Sequence, residues 1–135
     1  MSTNLNTHTR KKWRERGYLI ELTESMARLP GGITRKSDLF GFCDLLLIPQ
    51  GGTSDTGWVY CQVTSRGHIS TRLRKIQNEL TGTGQYATPM AWIARQILER
   101  GDRILIEGWD QPKGPGTRWR SKERWLTLSD LEGES

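Results

Sequence analysis

Short apolar runs bounded by glycine, proline and polar residues recur along the chain, and this pattern predicts β-strands. Two of the runs, Gly41–Ile48 and Trp58–Thr64, are separated by Pro49 and by glycine-containing turn residues at 51–57, which indicates a hairpin. A loop around Pro30 precedes the first of these two runs. The remaining runs that predict strands are Tyr18–Thr23, Arg103–Trp109 and Trp119–Leu128.

Helices are predicted where apolar residues recur every three or four positions or where the composition favours them. The clearest segment is Met90–Leu98, with Thr88 as its N-cap and Pro89 at the first helical position. Thr9–Arg16 is compatible with a helix that stops at Gly17. A further helix is predicted directly after the hairpin.

These elements predict a single α/β domain at 9–128, with a central mixed β-sheet flanked by helices. A chain of 135 residues is long enough to build one ordinary core. We predict a flexible N-terminus at 1–8, because its residues are mostly small and polar. We also predict an acidic disordered tail at 129–135.

Composition narrows the function classes without choosing one. The formal charge is +5, the sequence pI is about 9.6, and six Trp residues are present. Basic charge combined with aromatic residues is typical of nucleic-acid binders, although a merely basic globular protein has the same composition. Cys43 and Cys61 lie in apolar runs without a zinc-ligand spacing, so we expect two buried thiols.

No apolar run approaches the ~20 residues of a membrane span. The first residues also lack the apolar core of a signal peptide. We therefore expect a soluble, intracellular protein, cytoplasmic in location and without a membrane partner.

Polar residues interrupt both strands of the predicted hairpin where a core does not need them. Asp44 lies near the start of one strand, while Gln62 and Thr64 share one face of the next, because side chains alternate faces along a strand. If the strands are neighbours, the three side chains converge. Divalent cations that activate water for phosphodiester attack need such oxygen ligands. The pattern indicates a two-strand metal site, with Asp38 as a further candidate ligand in the loop before it.

A purely structural role also accounts for these residues. Asp44 would then cap a turn, and Gln62 and Thr64 would face solvent on an uncovered sheet. Against this interpretation stands the cost of placing a charge in an apolar strand without a partner. From the residues alone, both interpretations stay open.

The order of the elements, together with Asp44 and the pair Gln62 and Thr64, resembles the PD-(D/E)XK nuclease superfamily. The family core is a helix, a strand, a hairpin with Asp on one strand and (Glu/Gln)-x-Lys on the next, and a helix across the sheet. Asp44 matches the family aspartate, Gln62 the Glu or Gln position, and Thr64 the position usually held by Lys. More narrowly, the segments around Asp44 and Gln62 are similar to small phage and bacterial proteins described as Holliday junction resolvase-like.

The resemblance implies a restriction endonuclease-like core and a metal-dependent DNA endonuclease that hydrolyses phosphodiester bonds in duplex or branched DNA. Its catalytic residues would be Asp44, Gln62 and Thr64. Its cofactor would be Mg²⁺ or Mn²⁺, held by Asp44, Gln62 and Asp38. A homodimer is the assembly that the resemblance implies.

Two departures from the family pattern bear on activity. Gln62 removes one negative charge from the metal shell, and Thr64 lacks the positive charge that lysine gives to the attacking water. That charge would have to come through space from Lys36, Arg66 or Lys75. The candidates for a second acid are Asp38, Glu15 and Glu21.

Basic residues close to the site are predicted to bind phosphates. The helix after the hairpin begins at Ser70 or Thr71 and directs Leu73, Ile76 and Leu80 inward, so its basic residues point largely outward. The predicted nucleic-acid-binding residues are Lys36, Arg66, Arg72, Arg74 and Lys75. For the basic runs Arg10–Arg16 and Arg118–Arg124, a solvated surface and a binding surface are both open.

Three functions are compatible with these observations. The first is the metal-dependent endonuclease. The second is a catalytically inactive nucleic-acid-binding module on a nuclease fold, in which the chemistry is lost together with the lysine. The third is a protein-interaction or structural component that docks a partner through exposed Trp residues; it predicts no affinity for DNA at low salt.

Overall fold

A five-stranded sheet forms the centre of the protein. The structure, a computed structural model, describes residues 5–23, 25–28, 34–51 and 57–132, and for 25–28 and 34–37 it describes the backbone path alone. The strands of the sheet are β1 (Tyr18–Leu22), β4 (Leu45–Pro49), β5 (Val59–Ser65), β8 (Arg103–Asp110) and β9 (Arg120–Trp125). Two smaller sheets pair β2 (Ser25–Arg28) with β3 (Thr34–Ser37), and β6 (Leu80–Thr81) with β7 (Thr88–Pro89).

In the described part of the chain, four α-helices accompany the strands: α1 (Leu5–Glu15), α2 (Ile69–Asn78), α3 (Met90–Glu99) and α4 (Leu128–Leu131). Short 3₁₀ turns cover Arg66–His68 and Gly84–Tyr86. Within the described ranges, no helix combines the length and the apolar character that crossing a bilayer requires.

The central sheet is mixed, with the strand order β1-β4-β5-β8-β9. All neighbouring pairs are antiparallel except β5 and β8, which run parallel. A parallel pair needs a long crossover connection. Here the connection carries α2 and α3. The predicted α/β class, with a mixed central sheet and helices in one domain, is confirmed.

Each face of the sheet packs against its own helices, which gives two apolar cores. The α1-side core contains buried residues of α1, of β1 and of the odd-numbered positions of β4, β5 and β8: Trp13, Tyr18, Leu45, Leu47, Val59, Cys61 and Leu105. The α2-side core contains buried residues of α2, α3, α4 and the even positions of β8, together with Phe42, Cys43 and Leu126 from the connecting segments: Ile69, Ile76, Met90, Ala94, Ile97, Ile104, Ile106 and Leu131. Because the two faces are both covered, the central strands are buried on both sides.

The helix α1 begins at Leu5, so the predicted flexible N-terminus at 1–8 is wrong from that residue onward. Tertiary contacts explain the longer helix. Thr9 is buried and accepts a hydrogen bond from Trp109 Nε1 at 2.8 Å. The ring of His8 packs against the rings of Trp109 and Trp119. Residues 1–4 lie outside the described part of the chain.

Residues 129–131, which we assigned to a disordered tail, belong to α4. A capping box explains this, because the side chains of Thr127 and Asp130 bond each other's backbone N–H groups. Leu131 is buried in the α2-side core, and Arg124 binds the Asp130 carboxylate at 2.7 Å. Residues 133–135 lie outside the described part of the chain.

Other boundaries also differ from the prediction. The segments on either side of the predicted Pro30 loop are strands, Ser25–Arg28 and Thr34–Ser37, whereas Pro30 itself lies outside the described residues. Leu80, predicted inward on α2, is in β6 and 58% exposed. The helix α2 begins at Ile69 rather than at Ser70 or Thr71, and its N-cap is His68.

A buried carboxylate lies within the α1 side of the sheet. Glu107 on β8 is 0% exposed. Its Oε2 accepts hydrogen bonds from Lys12 Nζ and from Ser121 Oγ, and its Oε1 accepts one from Trp13 Nε1 at 3.3 Å. A carboxylate that is shielded from solvent requires such hydrogen-bond donors in place of water. Lys12 belongs to the basic run Arg10–Arg16, for which the sequence left a solvated surface and a binding surface both possible. In the structure Lys12 instead forms an ion pair with a buried carboxylate.

The neighbouring Glu123 shares the same cation. Its Oε2 lies 2.7 Å from Lys12 Nζ and 3.1 Å from Arg16 Nη1. Burial by itself would raise the pKa of Glu123, but the hydrogen bond and charge of Lys12, together with the charge of Arg16, lower it below its ordinary value of 4.5. Folding therefore favours the ionised carboxylate.

We expect Glu123→Gln to reduce the acid sensitivity of the fold. A lowered pKa contributes stability that is complete above the unfolded pKa of 4.5 and is lost as the pH falls through the folded value. The free energy of unfolding should therefore fall less for the variant than for the wild type between neutral pH and about pH 3. Urea unfolding at a series of pH values measures this difference. Identical pH dependence in the two proteins would contradict the assignment.

Candidate functional site

Gln62 and Thr64 lie on the α2 side of the sheet. On β5, Val59 and Cys61 belong to the α1-side core, so the alternating residues face the other way. Tyr60, which packs against the α2-side core, confirms this direction. Gln62 is 3% exposed and Thr64 is 5% exposed. The interpretation in which these two residues face solvent on an uncovered sheet is wrong.

The carboxylate of Asp44 reaches across to β5 between these two residues. The β4–β5 pairing covers Leu45–Leu47 with Val59–Cys61, and the Asp44 backbone N–H continues it by donating to the Cys61 carbonyl at 2.9 Å. Asp44 Oδ2 then accepts a hydrogen bond from the backbone N–H of Val63 at 2.8 Å. The hairpin therefore brings Asp44 next to the segment that carries Gln62 and Thr64, as the sequence predicts.

A tight turn holds Asp38 and Asp44 at its two ends. Leu39 and Cys43 form an isolated β-bridge, and the Gly41 N–H donates to the Asp38 carbonyl at 3.0 Å. Gly41 has a φ of +80°, and a Cβ there would lie 2.6 Å from Met90 Cε. Glycine is therefore required for the turn to reach α3.

The pKa values of the two buried thiols are raised, and the charges of both acids contribute to the shift at Cys43. Burial raises the pKa of the Cys43 thiol to about 11, and the charges of Asp44 and Asp38 add to the shift. Burial also raises the pKa of Cys61 well above its ordinary value, with smaller contributions from Glu107, Cys43 and Asp44. The cysteines are free and buried, as predicted. Asp44 adjoins Cys43 in the chain, and the Leu39–Cys43 bridge brings Asp38 to the same region.

Two oxygen acceptors in this region have no hydrogen-bond partner among the described residues. They are Gln62 Oε1 and Asp38 Oδ1, both fully shielded from solvent. An unpaired buried acceptor costs about 1–3 kcal/mol. With the Asp44 carboxylate close by, these oxygens are the hard ligands that Mg²⁺ and Mn²⁺ prefer. In chemical type, these donors suit a divalent cation.

The site is short of acidic groups and is nearly closed. Asp44 is only 7% exposed, and together with the buried Gln62 and Thr64 it forms a buried polar cluster. Within the described ranges, no three His, Cys, Asp or Glu side chains are grouped as a metal site would require. Glu15 is exposed on α1, and Glu21 is exposed opposite Leu46 on β1. Neither is buried with the polar cluster.

The predicted phosphate-binding residues are distributed differently from the expectation. Arg66 is exposed directly after β5 and binds Asp110 Oδ2 at 2.7 Å. Arg74 is exposed and Lys75 half-buried on α2. Arg72, predicted outward, is half-buried, and its Nε has no partner among the described residues. The side chain of Lys36 lies outside the described residues.

Sequence reasoning missed a basic pocket at the end of β5 and β8. Its cations come from Arg66 and from the β8–β9 turn, where Lys113, Arg118 and Arg120 lie. The signal was present as arginines around a Gly- and Pro-rich turn, but the sequence did not place that turn beside Arg66.

The comparisons with known proteins add no relative. No family model, no curated protein and no solved structure matches this chain.

Proposed function

We propose that this chain is a metal-dependent DNA endonuclease that hydrolyses phosphodiester bonds in duplex or branched DNA, with Mg²⁺ or Mn²⁺ as cofactor. The observation that carries this function is Gln62 Oε1, a buried acceptor without a described partner, on the strand that the Asp44 carboxylate reaches at Val63. A cation bound there would satisfy the unpaired oxygen and the carboxylate together.

The order of elements supports a restriction endonuclease-like core. A helix (α1), a strand (β1), the hairpin of β4 and β5, and a helix (α2) follow one another, with β2 and β3 inserted before the hairpin. Asp44 and Gln62 occupy the hairpin positions that the PD-(D/E)XK resemblance assigns to metal ligands. The small β2–β3 sheet is an addition to that order.

The residues have distinct roles in this proposal. Asp44, Gln62 and Asp38 hold the cation, which when bound supplies the positive charge that activates water and stabilises the developing charge on phosphate. Thr64, two positions after Gln62 on the same face, orients the attacking water through its hydroxyl. Arg66, the exposed Arg74 and the half-buried Lys75 neutralise neighbouring phosphates.

A second candidate is an inactive nucleic-acid-binding module on the same fold. The favouring observation is Thr64, which is 5% exposed and uncharged at the position where the family usually has lysine. A hydroxyl cannot replace the ammonium charge at the attacking water. This function predicts DNA binding without cleavage.

The deciding experiment incubates the protein with four-way-junction, duplex and single-stranded DNA in Mg²⁺, in Mn²⁺ and in EDTA. Cleavage of duplex or branched DNA that requires the metal and is lost in Asp44→Asn supports the endonuclease. Binding without cleavage in either metal supports the inactive module. Neither binding nor cleavage at low salt would remove both functions.

A further inference from the structure

A basic pocket lies at the edge of the sheet where β5 and β8 end. Its volume is about 290 Å³. The charged and hydroxyl side chains that line it are Arg66, Asp110, Lys113, Thr117, Arg118 and Arg120. Four cations and one carboxylate thus surround a space near the lower end of the ~300–1,000 Å³ range of small-ligand sites.

The pocket and the polar cluster share one face of the sheet. Thr64 pairs with Gly108, and Arg66 follows two residues later, directly after β5 ends at Ser65 and about 7 Å from Thr64. Gly108 permits this placement, because a Cβ there would lie 2.8 Å from the Arg66 Cα and 2.6 Å from Ile69 Cδ1. In B-DNA, 7 Å corresponds to about two nucleotides of one strand.

The cations of the pocket are arranged to receive an anion. Asp110 holds the Arg66 guanidinium at 2.7 Å, and no other described residue binds its remaining N–H donors, which can bind phosphate. Among the described residues, Lys113, Arg118 and Arg120 form no ion pair. The turn that carries them is fastened internally, since Thr117 Oγ1 accepts the Gly114 N–H at 3.1 Å.

We propose that this pocket binds the phosphate and sugar of one nucleotide in a nucleic-acid strand that runs from the Asp44 site along the end of β5. The path of the nucleic-acid strand past Asp44 rests on the proposed function. The assignment of the pocket as a phosphate site is supported independently by its volume and its charges. Guanidinium groups suit a phosphate because they donate two parallel hydrogen bonds to it. The pocket is large enough for a nucleotide and too small for a duplex.

The test measures DNA affinity by fluorescence polarisation in EDTA, so that cleavage cannot contribute. Arg118→Gln with Arg120→Gln removes two pocket charges. The matched control is Arg95→Gln with Arg100→Gln, which removes two charges in and directly after α3 that do not line the pocket. We expect the pocket pair to weaken DNA binding at least tenfold more than the control pair. The slope of log affinity against log salt should fall by about 1.8 for duplex DNA.

Equal effects of the two pairs, or an unchanged salt slope, would overturn the pocket. Polyglutamate of matched charge is the second ligand. Equal affinity for polyglutamate and DNA, lost equally in the pocket pair, would show an acidic-protein site instead and would also overturn it. A protein that never cleaves DNA but shows the expected binding loss would keep the pocket and refute the nuclease. Conversely, cleavage that requires Asp44, together with equal DNA affinity of the pocket pair and the control pair, would keep the nuclease and refute the pocket.

Discussion

Asp44→Asn is expected to lower the rate of metal-dependent DNA cleavage by about 10³-fold, which corresponds to about 4 kcal/mol of transition-state stabilisation. Asparagine removes the charge that would hold the cation. It keeps an oxygen that can accept the Val63 N–H, now at 2.8 Å from the carboxylate. Alanine would leave that buried N–H unpaired and confuse instability with inactivity. Single-turnover cleavage of the preferred DNA substrate gives the rate.

Asp102→Asn is the matched control. Asp102 Oδ1 also accepts a backbone N–H, that of Trp58 at 3.1 Å, just before the opposite end of β5. The two variants therefore make the same chemical change at two ends of one strand. Comparable loss of cleavage in both variants, or full activity in Asp44→Asn, would contradict a catalytic role of Asp44.

A thermal shift supplies a reading that does not depend on cleavage. Mg²⁺ that binds the folded protein raises its stability by about 1.4 kcal/mol at ten times the dissociation constant. We expect this stabilisation in the wild type and in Asp102→Asn, and its loss in Asp44→Asn. An equal shift in all three proteins would place the cation elsewhere.

Lys12→Met is expected to destabilise the fold by about 3–5 kcal/mol, the cost of leaving a buried charge without its partner. Glu107 is 0% exposed, and Lys12 is its cationic hydrogen-bond donor among the described residues. Methionine keeps the volume of the side chain while it removes the ammonium group. Urea unfolding gives the change in the free energy of unfolding.

Two further variants separate the lost ion pair from general effects on α1. Lys11→Met, at an exposed position of the same helix, should stay within about 0.5 kcal/mol of the wild type. Adding Glu107→Gln to Lys12→Met should restore most of the stability, because the amide oxygen still accepts the Trp13 N–H and no charge remains buried. Similar stability of the Lys11 and Lys12 variants would refute the network.

The strands and α3 were largely predictable because their signals are local. Alternation with period two and apolar spacing of three to four residues are properties of adjacent positions. The buried residues Met90, Ala94 and Ile97 lie where the spacing predicts them. The helix ends were less predictable, since α1 and α4 are extended by contacts of Thr9 and Leu131 with residues distant in the chain.

The candidate site was predictable in its members and not in its environment. Side-chain alternation was enough to group Gln62 with Thr64, and the hairpin was enough to bring Asp44 to them. Their burial was not predictable, because it depends on the segments that cover this face of the sheet. The same holds for Arg72, whose outward direction on an isolated helix gives way to a half-buried position in the fold.

The sequence by itself determined the order of the five central strands and of α1, α2 and α3, the mixed α/β class and the three polar residues of the hairpin. Only the tertiary structure decided which basic side chains form ion pairs inside the protein and which can bind a ligand at the surface. Lys12 and Glu107 are 95 positions apart, and Arg66 meets Asp110 across 44. Such long-range contacts depend on how strands and helices pack against one another in space. The local pattern of residues along the chain contains no information on that packing.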